Sequence, residues 1–177
     1  FNSVGIQSAG GAGWAIADWI VDGYPPMDLS SGDIRRAFPF QSDKKYLEAR
    51  ISESLGLLYA MHWPFRQYGS ARGVRKSPLH ETCEAAGAVF GETAGWERPN
   101  WYVSGNEPRN YVYSYGKQNW HNNMLLECQA AREAVALFDQ SSFAKFSVSG
   151  DDALATLNRI SCNNVDVKTC LLYTSDA

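Results

Sequence analysis

The chain has little of what marks several classes of protein. Four cysteines, Cys83, Cys128, Cys162 and Cys170, are spread over 177 residues, with no C-x-x-C pair. Three histidines, none at ligand spacing, add no metal signature, so buried free thiols are expected rather than disulfides or a metal site. No apolar run is long enough to cross a bilayer, and no charged-then-apolar signal segment opens the chain. Lysine and arginine total 16 against 19 aspartates and glutamates, without a basic cluster, which argues against nucleic acid as a partner. No Asn-x-Ser/Thr acceptor occurs, which fits an intracellular chain. A complete dinucleotide fingerprint is also missing. Gly11-Ala12-Gly13 opens G-x-G-x-x-G, but Ile16 holds the third glycine's place, so pyrophosphate is not the expected ligand.

What is present is a globular composition, 45% hydrophobic and 13% aromatic, enough for one ordinary domain or pieces of several. The first stretch, Asn2 to Gly13, passes from a short apolar run into glycines and small residues. A helix of about three turns is expected to follow, through Trp14, Ala15 and Trp19, ending at a Gly23 cap. Glycines at a helix entrance let a flat ligand approach the first amides, which lack intrahelical partners and sit at the positive end of the dipole. The competing structural reading is that these glycines only permit close packing.

Further along, Pro25-Pro26 marks an extended link, Ser30 or Ser31 caps a short turn through Arg36, and Phe38-Pro39-Phe40 breaks it. The periodicity predicts a helix from Ser42-Asp43 to about Ala60, with Tyr46, Leu47, Ile51, Leu55, Leu58 and Tyr59 as its apolar face and Glu48, Arg50 and Glu53 solvated. Pro64 keeps His62 to Tyr68 extended. Ser77-Pro78 starts a helix to about Ala86 with Gly87 as its cap, and Ala88-Val89-Phe90 reads as a strand. Gly95 to Tyr102 reads as an ordered aromatic loop, and Ser104 to Asn110 as the best domain boundary. A helix over Asn119–Ala136, a half-buried strand over Lys145–Gly150 and a helix capped by Asp151 or Asp152 complete an α+β chain.

Several stretches together resemble the dimethylglycine and sarcosine dehydrogenase family of flavoproteins. They are Asn2 to Gly13, Asp33-Ile34-Arg35-Arg36, Arg72 to Leu79, Gly95 to Trp101, and Ala134 to Phe146, with Asn163 or Asn164 and Val165-Asp166-Val167 beyond. The resemblance implies the end of a glycine-oxidase-like FAD domain over residues 1–30, a central domain over 31–102, and the start of an aminomethyltransferase-like folate domain over 103–168. It implies FAD and tetrahydrofolate as cofactors, a small methylated amine as substrate, and a flavoprotein or oxygen as electron acceptor. It also implies the bacterial cytoplasm or the mitochondrial matrix as location. Gly5, Ile6, Gln7, Ser8, Gly10 and Gly11 match the turn that lies against the flavin ring in such enzymes, with Gln7 also placed to reach the substrate carboxylate. Amide donors there would stabilise negative charge on a reduced ring.

Arg72, Arg75, Trp96, Glu97, Arg98 and Trp101 are read as a structural staple, His62 and His80 as packing residues, and Asp139 as structural, bonding nearby backbone with Ser141 and Ser142. Catalytic residues are expected outside the sequence. Residues 169–177 depart from the pattern and are expected to be non-native, so Tyr173 receives no folate role. A non-catalytic regulatory branch of the same architecture is the alternative, and a stand-alone folate domain would leave the N-terminal half unexplained.

Overall fold

The computed structural model describes residues 5–60 and 66–167, in two units, Phe1–Asp139 and Gln140–Ala177. The α+β expectation holds. Among the described residues, the elements are α-helices, two short 3₁₀ turns and one antiparallel two-stranded sheet. His62, Pro64, Cys170, Tyr173 and the 169–177 tail lie outside the described residues.

Helix α1 spans Gly5–Asp22 and ends at Gly23, whose φ is +79° and whose amide donates to the Trp19 carbonyl at 3.0 Å. The cap is as expected, but the entrance is not. The glycine stretch expected as a turn is already helix from Gly5. An extended segment needs a neighbouring strand to satisfy its backbone, and the sheet among the described residues contains only β1 and β2; a helix satisfies itself.

Short 3₁₀ turns at Ile34–Arg36 and Pro39–Ser42 lead to α2, Lys44–Leu58. Asp33, rather than Ser30 or Ser31, caps the first turn by accepting from the Arg35 amide at 2.8 Å. Asp43 caps α2, accepting from the Tyr46 amide at 3.0 Å. The face that α2 turns inward corrects the periodicity reading. Arg50 and Leu57 are buried, with Tyr46 and Glu53 half-buried beside them, whereas Leu47, Ile51, Leu55 and Leu58 are exposed. Positions 46, 50, 53 and 57 also repeat at helical spacing. That face wins because Arg50 and Glu53 find fixed partners across it.

The helix starts later than Ser77-Pro78 suggested: α3 spans His80–Ala85 with Leu79 at its N-cap and no side-chain cap bond, while the Ser77 hydroxyl accepts from the Leu79 amide at 3.2 Å just ahead of it. Gly87 closes α3 with φ +96°. Strand β1 covers Ala88–Thr93, as its start suggested. The expected aromatic loop is instead strand β2, Trp96–Tyr102. Pro99 cannot donate to a ladder, which hid the strand, but a two-stranded sheet has only edges and tolerates it. The register moves from Val89 opposite Trp101 to Phe90 opposite Pro99, leaving Asn100 as a bulged residue. Ala94 and Gly95 both have positive φ, +51° and +79°, forming a two-residue turn of the I′ kind that matches strand twist. Glycine is required at 95, where a Cβ would meet Phe40 Cζ at 2.5 Å.

The core lies around this hairpin. Trp101 is 1% exposed, with Ala88, Val89 and Cys83 buried nearby in the same elements. Helix α3 packs on both strands, and α4, His121–Glu133, packs on β2. Polar clamps hold α4. Glu127 accepts from the Tyr102 amide at 2.7 Å, and buried Asn123 accepts from the Ser104 amide at 3.2 Å while donating to Glu107 at 3.0 Å. Cys83 is a buried thiol as expected, while Cys128 and Cys162 are free but exposed.

In the second unit, the alternating segment Lys145–Gly150 is not a strand, because no partner strand exists for it among the described residues. Helix α5, Ala153–Ile160, follows Asp152 without a side-chain cap bond. Asn158 then accepts from the Val165 amide at 2.8 Å, folding the following chain back on α5.

Candidate functional site

The residues assigned to a flavin wall share the first two turns of α1. Ile6 is 97% exposed, and Gly5, Gln7, Gly10 and Gly11 are exposed with it, Ser8 being half-buried. A Cβ built on Gly5, Gly10, Gly11 or Gly13 would meet nothing within 4 Å, so the glycines leave an open backbone surface rather than fill a packing contact. Gln7, Gly10 and Gly11 fall on one face by their three- and four-residue spacing. The amides of Gly5 to Gln7 at the helix start have no intrahelical carbonyl partner, whereas those of Ser8, Gly10 and Gly11 belong to the helical ladder. The helix therefore splits the two expected roles. Its first turn can donate, and its glycines can only permit close approach.

The staple expected around Glu97 is larger than its sequence signal. Arg72 pairs with Glu97, donating from Nε at 2.9 Å and from Nη2, while the Gly73 amide donates to the same carboxylate at 2.6 Å. Burial alone would raise the Glu97 pKa, but the Arg72 guanidinium and the Gly73 amide outweigh it and hold the carboxyl below its usual range. The remaining Arg72 donors reach the Tyr68 and Phe90 carbonyls at 3.0 and 3.1 Å. Arg75 lies over the Trp96 ring at 4.3 Å and the Phe38 ring at 4.9 Å, as an arginine–tryptophan stack requires.

A second, unanticipated pair is Arg50 with Glu92, at 2.7 Å, with side chains 9% and 8% exposed. Arg50 also lies over the Tyr68 ring at 4.2 Å and donates to the Ser70 carbonyl at 2.8 Å. Glu53 accepts from the Gly69 and Ser70 amides, both at 2.7 Å. Those donors, with the Ser70 hydroxyl, overcome burial and keep its pKa below the ordinary value. The signal that could have found this group was the second helical face of α2, where charged residues recur with Tyr46 and Leu57.

His80 is a packing residue, buried and stacked on Phe90 at 4.2 Å. Asp139 has a structural role, accepting a long-range hydrogen bond from the Ser77 hydroxyl. Tyr111, Tyr113 and Trp120 form an aromatic cluster that meets Trp101 edge-on through Tyr111 at 6.3 Å. Burial pushes the Tyr111 hydroxyl up to about 12. Among the described residues, no group of histidine, cysteine and acidic side chains could hold a metal ion, and no helix is long and apolar enough to cross a membrane.

Two family descriptions match in tandem: the FAD dependent oxidoreductase central domain over residues 22–77, and the GCVT N-terminal domain over residues 79–174. Over 169 residues the chain is 46% identical to a formaldehyde-forming 4-methylaminobutanoate oxidase of Paenarthrobacter nicotinovorans, covering 96% of this chain and 20% of that protein. It is 34% identical over 171 residues to the mitochondrial pyruvate dehydrogenase phosphatase regulatory subunit of Mus musculus, covering 94% and 20%. With the mitochondrial sarcosine dehydrogenase of Mus musculus it shares 32% over 203 residues, covering 97% and 22%. The chain thus spans about a fifth of the length of these relatives. With both matches adjoining in one chain, it belongs to the dimethylglycine and sarcosine dehydrogenase family of FAD-dependent oxidoreductases, across its central and GCVT domains.

Proposed function

We propose that the chain is part of an FAD-dependent amine oxidoreductase that demethylates N-methylated glycines, sarcosine or dimethylglycine, and passes the one-carbon unit to tetrahydrofolate. The observation that carries this reading is the 46% identity, across both adjoining family matches, to an oxidase whose name specifies a methylated amine and formaldehyde. Bound FAD would accept the hydride equivalent from the amine. The contribution of Gly5, Ile6, Gln7, Ser8, Gly10 and Gly11 is positional. First-turn amides of α1 stabilise negative charge, open glycines admit a flat ring, and Gln7 offers the substrate carboxylate a neutral hydrogen bond. The open α1 surface fits one wall of such a site and supplies no acid or base.

We assign residues 1–30 to the FAD domain, 31–102 to the central domain and 103–168 to the folate domain. The GCVT match begins at residue 79, but the hairpin it includes is bonded to α2 through Arg50–Glu92 and to the preceding Gly69–Gly73 loop through Arg72–Glu97, which supports grouping it with the central segment. The electron acceptor is a flavoprotein or oxygen, and the place of action the bacterial cytoplasm or the mitochondrial matrix.

The test is turnover by the full-length enzyme with an artificial acceptor, given sarcosine, dimethylglycine and 4-methylaminobutanoate in parallel. The reading expects the two glycines to be preferred and free formaldehyde to fall when tetrahydrofolate is added. Preference for 4-methylaminobutanoate would replace the substrate, and formaldehyde indifferent to tetrahydrofolate would remove the folate step. The similarity to a phosphatase regulatory subunit supports a second reading, a non-catalytic protein acting through contacts. A full-length protein purified without flavin absorbance would favour it.

A further inference from the structure

A cleft of about 700 Å³ opens between the Gly69–Gly73 loop, β1 and the segment Arg109–Tyr113, and no residue of α1 lines it. Its size is that of a small-molecule site. Two rings on one side, Tyr111 and Tyr113, are stacked at 5.8 Å with planes 10° apart. Both are fixed. The Tyr113 hydroxyl accepts from the Gln67 amide at 2.7 Å, and the Tyr111 hydroxyl accepts from Asn100 at 2.9 Å. Buried His80 also lines the cleft, and its Nδ1 has no hydrogen-bond partner among the described residues.

The charges around this cleft are unequally committed. Glu97 is neutralised by Arg72, and Glu53 is held by two amides and a hydroxyl. Exposed Arg66 and Lys76, together with Arg109, which donates to the Glu84 carbonyl at 2.8 Å and keeps its full charge, then face a single uncommitted carboxylate, Glu84, although the whole chain carries a formal charge of -3. Cations gathered around an aromatic wall attract a flat anion and reject its neutral isostere.

We propose that this cleft binds a small planar carboxylate, its ring against Tyr111 and Tyr113 and its charge toward Arg66, Lys76 and Arg109. The site requires no flavin, so its test is independent of the oxidoreductase reading.

The experiment is calorimetric titration of the full chain with benzoate and, separately, with benzamide. Benzoate should bind saturably, and benzamide about tenfold more weakly. The double substitution Arg66→Gln/Lys76→Gln touches two exposed side chains and should weaken benzoate about fivefold with an unchanged melting temperature. Lys45→Gln, an exposed lysine on α2 outside the cleft, should leave binding unchanged. Absence of saturable benzoate binding to the folded chain, equal binding of benzamide, or full affinity in the double variant would each overturn the proposal.

Discussion

Glu97 is a carboxylate only 5% exposed on its side chain, charged because Arg72 and the Gly73 amide meet it. Glu97→Gln keeps the shape and removes the charge, leaving Arg72 with two carbonyls. Removing one partner of a largely buried pair is expected to cost about 3 kcal/mol, read as a lower denaturation midpoint at unchanged slope. The same pair sets an acid limit. The folded pKa of Glu97 lies below the ordinary 4.5, so its stabilisation is present above that value and lost as pH falls through the folded pKa. Glu53 acts in the same direction. The Glu97→Gln variant should therefore lose less stability on acidification than the parent, measured by urea denaturation at stepped pH. The arginine–tryptophan staple was legible because Arg72, Arg75, Trp96 and Glu97 are adjacent in two short stretches. Arg50–Glu92 was not, since 42 positions separate the partners and nothing local marks them.

At the scale of elements, the hairpin turn is the least forgiving feature. Gly95 has φ +79° and sits against the Phe40 ring, so Gly95→Ala meets both backbone strain and a clash. A loss of about 2–3 kcal/mol is expected from thermal unfolding. Asp43→Ala should cost about 1 kcal/mol by opening the α2 cap, a smaller effect because the cap is at the surface. Helix positions were legible wherever a capping residue and a glycine bracketed them, as Asp43 does for α2 and Gly23 and Gly87 do for the ends of α1 and α3. Strand β2 was hidden by Pro99, and the strand expected at Lys145–Gly150 failed for want of a partner, which alternation alone cannot supply. The glycine stretch of α1 misled for a related reason. Glycines signal conformational freedom without saying whether the chain uses it, and here it stays helical.

For the whole molecule, the boundary between the two family matches, at residue 78, does not separate two cores. Arg50 and Arg72 lie before it, Glu92 and Glu97 after it, and Ser77 bonds Asp139 across it. A chain begun at residue 79 would bury two glutamates without their arginines, and should show non-cooperative unfolding by circular dichroism, whereas the full chain should lose its central unit in one transition. Alone, this chain presents one wall of the proposed flavin site and should not bind FAD with micromolar affinity. The most direct measurement is anaerobic mixing of the full-length protein with sarcosine or dimethylglycine while its flavin absorbance is followed. Bleaching of the oxidised flavin band is expected on mixing, with one substrate consumed per flavin. Purified protein that carries flavin yet keeps its full absorbance with every N-methylated amine tried would contradict that expectation.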